Sequence, residues 1–407
     1  MKWLKGNLLT QILVAFIIAI ILGVILGESM NVVAPLGDLF LRLIKFIIAP
    51  LVLSTLVIGI ASIGDPKALG RVGSKTIAYY LITTAIAIAI GLGIAYVINP
   101  GKGLSLNVEG AEEVEVGEQE SVVDTLLNIV PENPFEALAN ADILQIIFFA
   151  IAVGLAIILI GDKAKPVHVF FESFSEIMFK ITAIVMRFAP IGVFGLIAPI
   201  VGEYGASVLL PLLKVILAVA IACILHAIIV YSLSAKLFAN MNPFVFFKGI
   251  APAALVAFST ASSAGTLPVT LKNTQENLGV SNKISSFVLP LGATINMDGT
   301  AIYQGVAVVF IAQFYGLDLT LMQLLTVVIT TVLASIGTAG VPGAGMIMLA
   351  MVLGSIGLPL EGIALIAGID RILDMFRTTA NIVGDASAAV VVAGTENEID
   401  RSKFEKK

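Results

Sequence analysis

The sequence predicts an all-α polytopic membrane protein, and three observations carry that prediction. Of 407 residues, 58% are hydrophobic and only 13% are charged, with a mean hydropathy of +1.04, far too apolar for a soluble globular chain. The apolar residues gather into runs long enough to cross a bilayer, which takes about 20 helical residues. Several runs are interrupted by Gly, Pro, Ser or Asp, a pattern that survives at membrane depth only where protein or a water-filled cavity surrounds it.

The first run, 8–27, follows Lys2 and Lys5. It exceeds the roughly 7 to 15 apolar residues of a signal-peptide core and ends in Gly-Glu-Ser-Met without a small-residue cleavage site, so a retained helix is expected. Runs at 35–63, 75–98 and 144–160 follow, then 167–201, 207–238, 243–271, 285–314, 319–358 and 361–393. Those at 243–271 and 319–358 are broken at their middles by Ser, Gly and Pro, which suits two half-helices meeting at a tip. They are read as re-entrant hairpins over about 243–278 and 319–358. The two breaks echo one another as SAGTLP (263–268) and SIGTAGVP (335–342), an internal repeat.

Charge sets the orientation and excludes some function classes. With the N-terminus inside, Lys2, Lys5, Lys67, Arg71, Lys75, Lys163, Lys165, Lys236, Arg401, Lys403, Lys406 and Lys407 all fall on one side, so both termini are expected in the cytoplasm. The segment 101–140, with Glu109, Glu112, Glu113, Glu115, Glu118, Glu120, Asp124, Glu132 and Glu136 against one lysine, then lies outside as a solvated acidic loop. It accounts for most of the net charge of −5, and no basic, aromatic-interleaved patch suggests nucleic acid. The lone Cys223 excludes an intrachain disulfide framework or a cysteine metal cluster. His168 and His226 lie far apart without ligand-like spacing and are read as structural.

Four stretches carry chemistry. On a helix, Asp370, Asp374, Arg377, Asn381 and Asp385 share one face within an arc of about 80°. Charges on one stripe of a spanning helix must line an interior filled by water or ligand. There Arg377 can take a carboxylate bidentately and Asp374 an ammonium group, which together describe an acidic amino acid; a structural ion pair of Asp370 or Asp374 with Arg377 is the alternative. Arg371, off the stripe's centre, is expected to pair locally or pack at the bundle edge. The first hairpin's break, 259–266, offers hydroxyls and free N–H groups at a half-helix N-terminus for a carboxylate, although small residues also permit tight helix packing. In GATINMDGT (292–300), Asn296 and Asp298 interrupt an apolar helix, so unwound carbonyls, an amide oxygen and a carboxylate present hard ligands for a cation such as sodium. A structural kink is the alternative. The glycine-rich 335–345 suits a mobile tip that gates access, or else a static kinked loop.

The motifs SSAGTLPVT (262–270), GATINMDGTAIYQ (292–304), SIGTAGVPGAG (335–345) and DRILDMFRTTANIVGD (370–385) closely resemble those of the dicarboxylate/amino acid:cation symporter family, in its order and spacing over nearly the whole chain. The resemblance implies eight transmembrane helices plus two re-entrant hairpins with inverted repeats, assembled as a homotrimer in the cell (plasma or inner) membrane and working as an elevator. Residues 1–73 would be scaffold helices 1–2, 74–100 transport-domain helix 3, 101–205 the outer loop with scaffold helices 4–5, and 206–407 the transport domain. It implies a substrate site of Ser262, Ser263, Thr300, Gly345, Asp374, Arg377, Thr378 and Asn381. It implies one sodium site at Gly292, Asn296, Asn381 and Asp385, another at Tyr80, Thr83, Thr84, Asn296 and Asp298, and a third at Thr294, Met297, Ser335, Ile336 and Thr338.

Retention of Arg377, which neutral amino-acid carriers of the family replace, favours acidic substrates. Gln304 stands where proton- and potassium-coupled members carry glutamate, which favours plain sodium coupling. Relatives place an arginine where this chain has Ala261 or Met375, so Asp374 is expected to lack that partner. The reading is a sodium-coupled importer of aspartate or glutamate, with Na+ as coupling ion, no other cofactor and no covalent chemistry. A proton- or sodium-coupled C4-dicarboxylate or neutral amino-acid symporter is the alternative. A channel would need a continuous polar pore, and an intramembrane enzyme would need a nucleophile beside its base; neither pattern is present.

Overall fold

The computed structural model describes residues 8–61, 66–102, 127, 130–140, 142–205, 209–336 and 344–403. Most of the acidic segment and residues 337–343 of the second tip, Thr338 included, lie outside the described residues. Among the described residues the protein is helical throughout; its extended pairing is one isolated antiparallel bridge, Val280 with Ile399.

One group of helices comprises α1 (Leu8–Leu26), α2 (Ala34–Ala61), α5 (Ile143–Ile160), α6 (Lys165–Met186) and α7 (Ala189–Tyr204), with the short α4 (Pro134–Asn140) ahead of α5. In it α1 lies along α7, and α2 packs on α5, α6 and α7. The run expected at 167–201 is two helices rather than one. Pro190, in the first turn of α7, has no N–H to continue the ladder, and Arg187 and Phe188 donate instead to carbonyls three residues back, Ile184 at 3.1 Å and Val185 at 2.9 Å.

The second group is built around α17 (Asp370–Glu396), which packs against α3 (Pro66–Ile98), α8 (Leu209–His226), α9 (Ser232–Ala239), α10 (Pro243–Thr260), α11 (Ser263–Glu276), α12 (Asn282–Ile295) and α13 (Asp298–Phe314). Almost every residue of α17 from Leu373 to Ala393 is buried, as befits a helix surrounded by protein on all sides. Its charged stripe is thereby kept out of lipid. The run expected at 361–393 breaks at Gly368–Ile369, after the short α16 (Ile363–Ala367).

Both broken runs form helix–break–helix hairpins. The first is α10 and α11, and the second is α14 (Leu321–Ser335) and α15 (Ala344–Ser355). The arms of each pack on one another, and the second hairpin touches both groups, with α15 against α2 and α13 and α14 against α3. The helix expected to unwind near residue 296 does so: α12 ends at Ile295, Asn296 and Met297 are non-helical, and α13 starts at Asp298.

Among the described residues, six helical stretches are long and apolar enough to cross a membrane.

Candidate functional site

The first hairpin turns at Ala261, which takes the left-handed conformation at φ 49° and ends α10. Ser262 is extended and caps α11, its Oγ accepting the Gly265 N–H at 3.0 Å. Ser263, the first helical residue, is buried. The positive end of α11 thus stands at the tip.

On α17, Arg377 is enclosed. Its Nη1 donates to Asp370 Oδ1 at 2.8 Å, its Nη2 lies 2.9 Å from Asp374 Oδ1, and its guanidinium carbon sits 4.3 Å from the centre of the Tyr303 ring. Thr378 donates to the same Asp374 oxygen at 3.4 Å. Gly345, at the start of α15, packs so close that a Cβ there would collide with the Arg377 guanidinium. The second hairpin therefore brings bare backbone up to the charge. Arg371 does more than pair locally. Its Nη1 lies 3.8 Å from Asp374 Oδ2, and its Nη2 donates to the Thr260 carbonyl at the first hairpin's tip at 3.0 Å. Asp374 therefore has a second arginine beside it, although neither Ala261 nor Met375 supplies one.

The break between α12 and α13 faces α17. Asn381 Oδ1 accepts the Gly299 N–H at 2.8 Å, and its Nδ2 reaches Thr300 Oγ1 and Met297 Sδ, each at 3.4 Å. Asn296 Nδ2 donates to the Asn381 carbonyl and to Asp385 Oδ1, each at 2.9 Å. What remains is chemically one-sided: Asp385 Oδ2 and Asn296 Oδ1 are buried oxygens with no protein donor. A Cβ on Gly292 would run into Asp385 Oδ1 and the Tyr80 hydroxyl, so a hydrogen there preserves the space. Buried acceptors left unpaired are costly, and hard oxygens gathered this way fit an alkali cation. Gly292, Asn296, Asn381 and Asp385 fit such an ion.

Asp298 is provided for differently. Its Oδ1 accepts from Thr84 Oγ1 at 2.7 Å and Thr83 Oγ1 at 3.2 Å, and its Oδ2 from the Tyr231 hydroxyl at 2.8 Å, with His226 Nε2 at 3.2 Å. The carboxylate is wholly buried and saturated by protein groups. Tyr80 turns its hydroxyl to the Val288 carbonyl at 3.0 Å. A cation at this second set would have to displace donors already in place. Sequence reasoning set His226 aside and did not name Tyr231. Both reach Asp298 because Ala227–Tyr231 is a π-helical turn, a form often found at functional sites. The available signal was a histidine and a tyrosine five positions apart in an apolar helix.

Of the third implied set, Thr338 lies outside the described residues and the others make separate contacts. Thr294 is exposed and donates to the Leu291 carbonyl of its own helix at 2.9 Å; Ser335 donates to Val332 at 2.7 Å; Ile336 ends α14; Met297 faces Asn381 and Thr300. Gln304 is buried with neither amide atom paired to protein.

A buried guanidinium held between two carboxylates and a cradle of oxygens thus converge where two hairpins meet one buried helix. Residues 8–395 match the model of the sodium:dicarboxylate symporter family. The chain belongs to that family. Members of the sodium:dicarboxylate symporter family to which it is similar include the proton/sodium-glutamate symport protein of Geobacillus stearothermophilus, 42% identical over 378 residues covering 91% of this chain and 89% of that one. The proton/glutamate-aspartate symporter of Escherichia coli is 41% identical over 384 residues, 92% and 87% of the two chains. The C4-dicarboxylate transport protein of Bacillus subtilis is 36% identical over 403 residues, 98% and 95%. As a member of the sodium:dicarboxylate symporter family the chain is a multi-pass membrane transporter, not an enzyme, and moves a small molecule together with a coupling ion.

Proposed function

We propose that the protein is a sodium-coupled symporter importing aspartate or glutamate across the cell membrane by elevator-type alternating access, as a homotrimer with cytoplasmic termini. The observation that carries this reading is the enclosure of Arg377: a buried guanidinium between Asp370 and Asp374, faced by the backbone of Gly345. A substrate side-chain carboxylate replaces an aspartate on Arg377, its ammonium group takes Asp374, and its α-carboxylate takes the N–H groups at Ser263. Thr300, Thr378 and Asn381 close the pocket, and Ser262 holds the hairpin's cap. Exchange of one carboxylate for another leaves the arginine's charge compensated throughout.

Sodium is assigned to the cradle of Gly292, Asn296, Asn381 and Asp385. Asn381 is shared, its carbonyl held by Asn296 and its amide touching Thr300. An ion that orders Asn381 therefore favours the substrate-bound arrangement, and by linkage substrate favours the ion to the same degree. In this reading both hairpins are re-entrant, and residues 1–73 and 101–205 form the fixed scaffold.

A second reading, a C4-dicarboxylate carrier, is favoured by the likeness to the Bacillus subtilis protein and would leave Asp374 without an ammonium partner. The test is uptake of labelled aspartate into proteoliposomes under a sodium gradient, a proton gradient or none, with glutamate, succinate and serine as competitors. Accumulation driven by sodium and competed by glutamate supports the reading. Accumulation driven by protons alone refutes the sodium assignment, and competition by succinate but not glutamate moves the substrate to the second reading.

A further inference from the structure

The Arg371 guanidinium occupies the seam between two parts of the substrate site. Its Nη2 donates at 3.0 Å to the carbonyl of Thr260, the last residue of α10. A carbonyl at a helix C-terminus has no partner within the helix, and a cation is favoured beside it because the helix dipole is negative there. On the same side chain, Nη1 stands 3.8 Å from Asp374 Oδ2, while Nε is buried without a protein partner. That separation from Asp374 is beyond hydrogen-bond range, so the bond to Thr260 is the geometric constraint and the aspartate feels the charge alone. A second contact lies beside the first: the rings of Phe258 on α10 and Phe376 on α17 meet edge to face at 5.4 Å.

We propose that Arg371 is a positioning residue that braces the first hairpin's tip against α17, setting the separation between Asp374 and the N–H groups at Ser263 before substrate arrives. The proposal rests on the functional reading above, in which those two places receive the two ends of one amino-acid backbone. A short, stiff connection between them removes an ordering cost that substrate would otherwise bear. Arg371 touches no substrate atom in this account and acts through the hairpin.

The test uses the full-length protein with Cys223→Ala and Thr266→Cys. Thr266 is fully buried, its Oγ1 donating to the Ser262 carbonyl at 2.8 Å and lying 3.2 Å from Thr260 Oγ1, so a thiol there reports whether the tip is seated. In that background without substrate, Arg371→Gln is expected to raise the rate of labelling by a water-soluble maleimide about tenfold, and Arg371→Lys by about threefold, because an ammonium still reaches a carbonyl. Arg371→Gln is also expected to weaken aspartate binding about tenfold while the melting temperature moves little. Equal labelling rates with and without the guanidinium overturn the brace. Faster labelling with unchanged aspartate affinity overturns its role in presetting the site. If Arg371→Gln does not fold, the lysine variant decides by the same two readouts. A parent protein that binds no aspartate at all sinks the functional reading instead, and the labelling rates still decide the brace.

Discussion

The Arg377 guanidinium reaches back along α17 to Asp370, seven residues earlier, and holds its Oδ1 at 2.8 Å. Two helical turns separate their Cα atoms by about 10.5 Å. A long side chain covers that span because helical side chains lean toward the N-terminus. Removing one partner of a buried pair costs about 3–5 kcal/mol when nothing else compensates, and here Asp374 compensates in part. Asp370→Asn is therefore expected to lower the melting temperature in detergent. Added aspartate should restore more of the loss than it adds to the parent protein, because its side-chain carboxylate supplies the missing counter-charge. Thermal shifts with and without ligand check this; an equal ligand-induced shift in both proteins goes against a substrate carboxylate at Arg377.

Asp385 carries the cation argument. With Oδ2 unpaired and buried beside the unpaired Asn296 Oδ1, it supplies the cradle's negative charge, and affinity for hard cations follows ligand charge count. Asp385→Asn is expected to raise the sodium concentration for half-maximal aspartate binding at least about tenfold. Titrations of sodium at fixed aspartate measure it, and an unmoved midpoint would remove the ion from this cradle.

Tyr231 serves Asp298 by a hydrogen bond to a buried carboxylate, and the same hydroxyl lies 3.1 Å from the Ala380 carbonyl. Tyr231→Phe keeps the ring and deletes that donor, so the loss expected is that of a hydrogen bond to a charged group, about 1.5–3 kcal/mol. A reduced melting temperature, with unchanged sodium dependence of aspartate binding, is the expected outcome. A shifted sodium midpoint would place a coupling ion at Asp298 after all.

How legible these features were in the sequence depends on whether helical periodicity holds. The stripe on α17 was legible because Asp370, Asp374, Arg377, Asn381 and Asp385 keep one register along an unbroken helix. The unwinding at Asn296–Met297 was legible because polar residues sit inside an apolar run. His226 and Tyr231 were not, since they lie 72 and 67 residues from Asp298. At about 100° per residue they would also point about 140° apart, and the wider π turn between them narrows that offset. The second role of Arg371 was hidden for a related reason. Its partner is a backbone carbonyl 111 residues away, which no side-chain pattern announces.

At the other end of α17, Glu396 accepts from Arg71 Nη2 at 2.5 Å and from Lys75 Nζ at 2.7 Å, and these bonds pull its carboxyl down to about 2. A carboxyl lowered by folding adds stability that is complete above its unfolded value of 4.5 and is lost as pH falls from there through about 2. Glu396→Gln is therefore expected to melt below the parent at pH 7, with the gap closing as the pH is taken below about 4.5 toward about 2. Melting curves across that interval check the sign, and a gap that widens on acidification contradicts it.

The most direct measurement is calorimetric titration of aspartate into the parent protein and Arg377→Ala, each with and without sodium. The parent should bind when sodium is present and lose most of its affinity without it. The folded fraction of Arg377→Ala, less stable because two buried carboxylates lose their counter-charge, should bind at least about a hundredfold more weakly, as expected for loss of a bidentate, charge-assisted contact. Aspartate binding of equal strength in both proteins, or binding indifferent to sodium, would contradict the account.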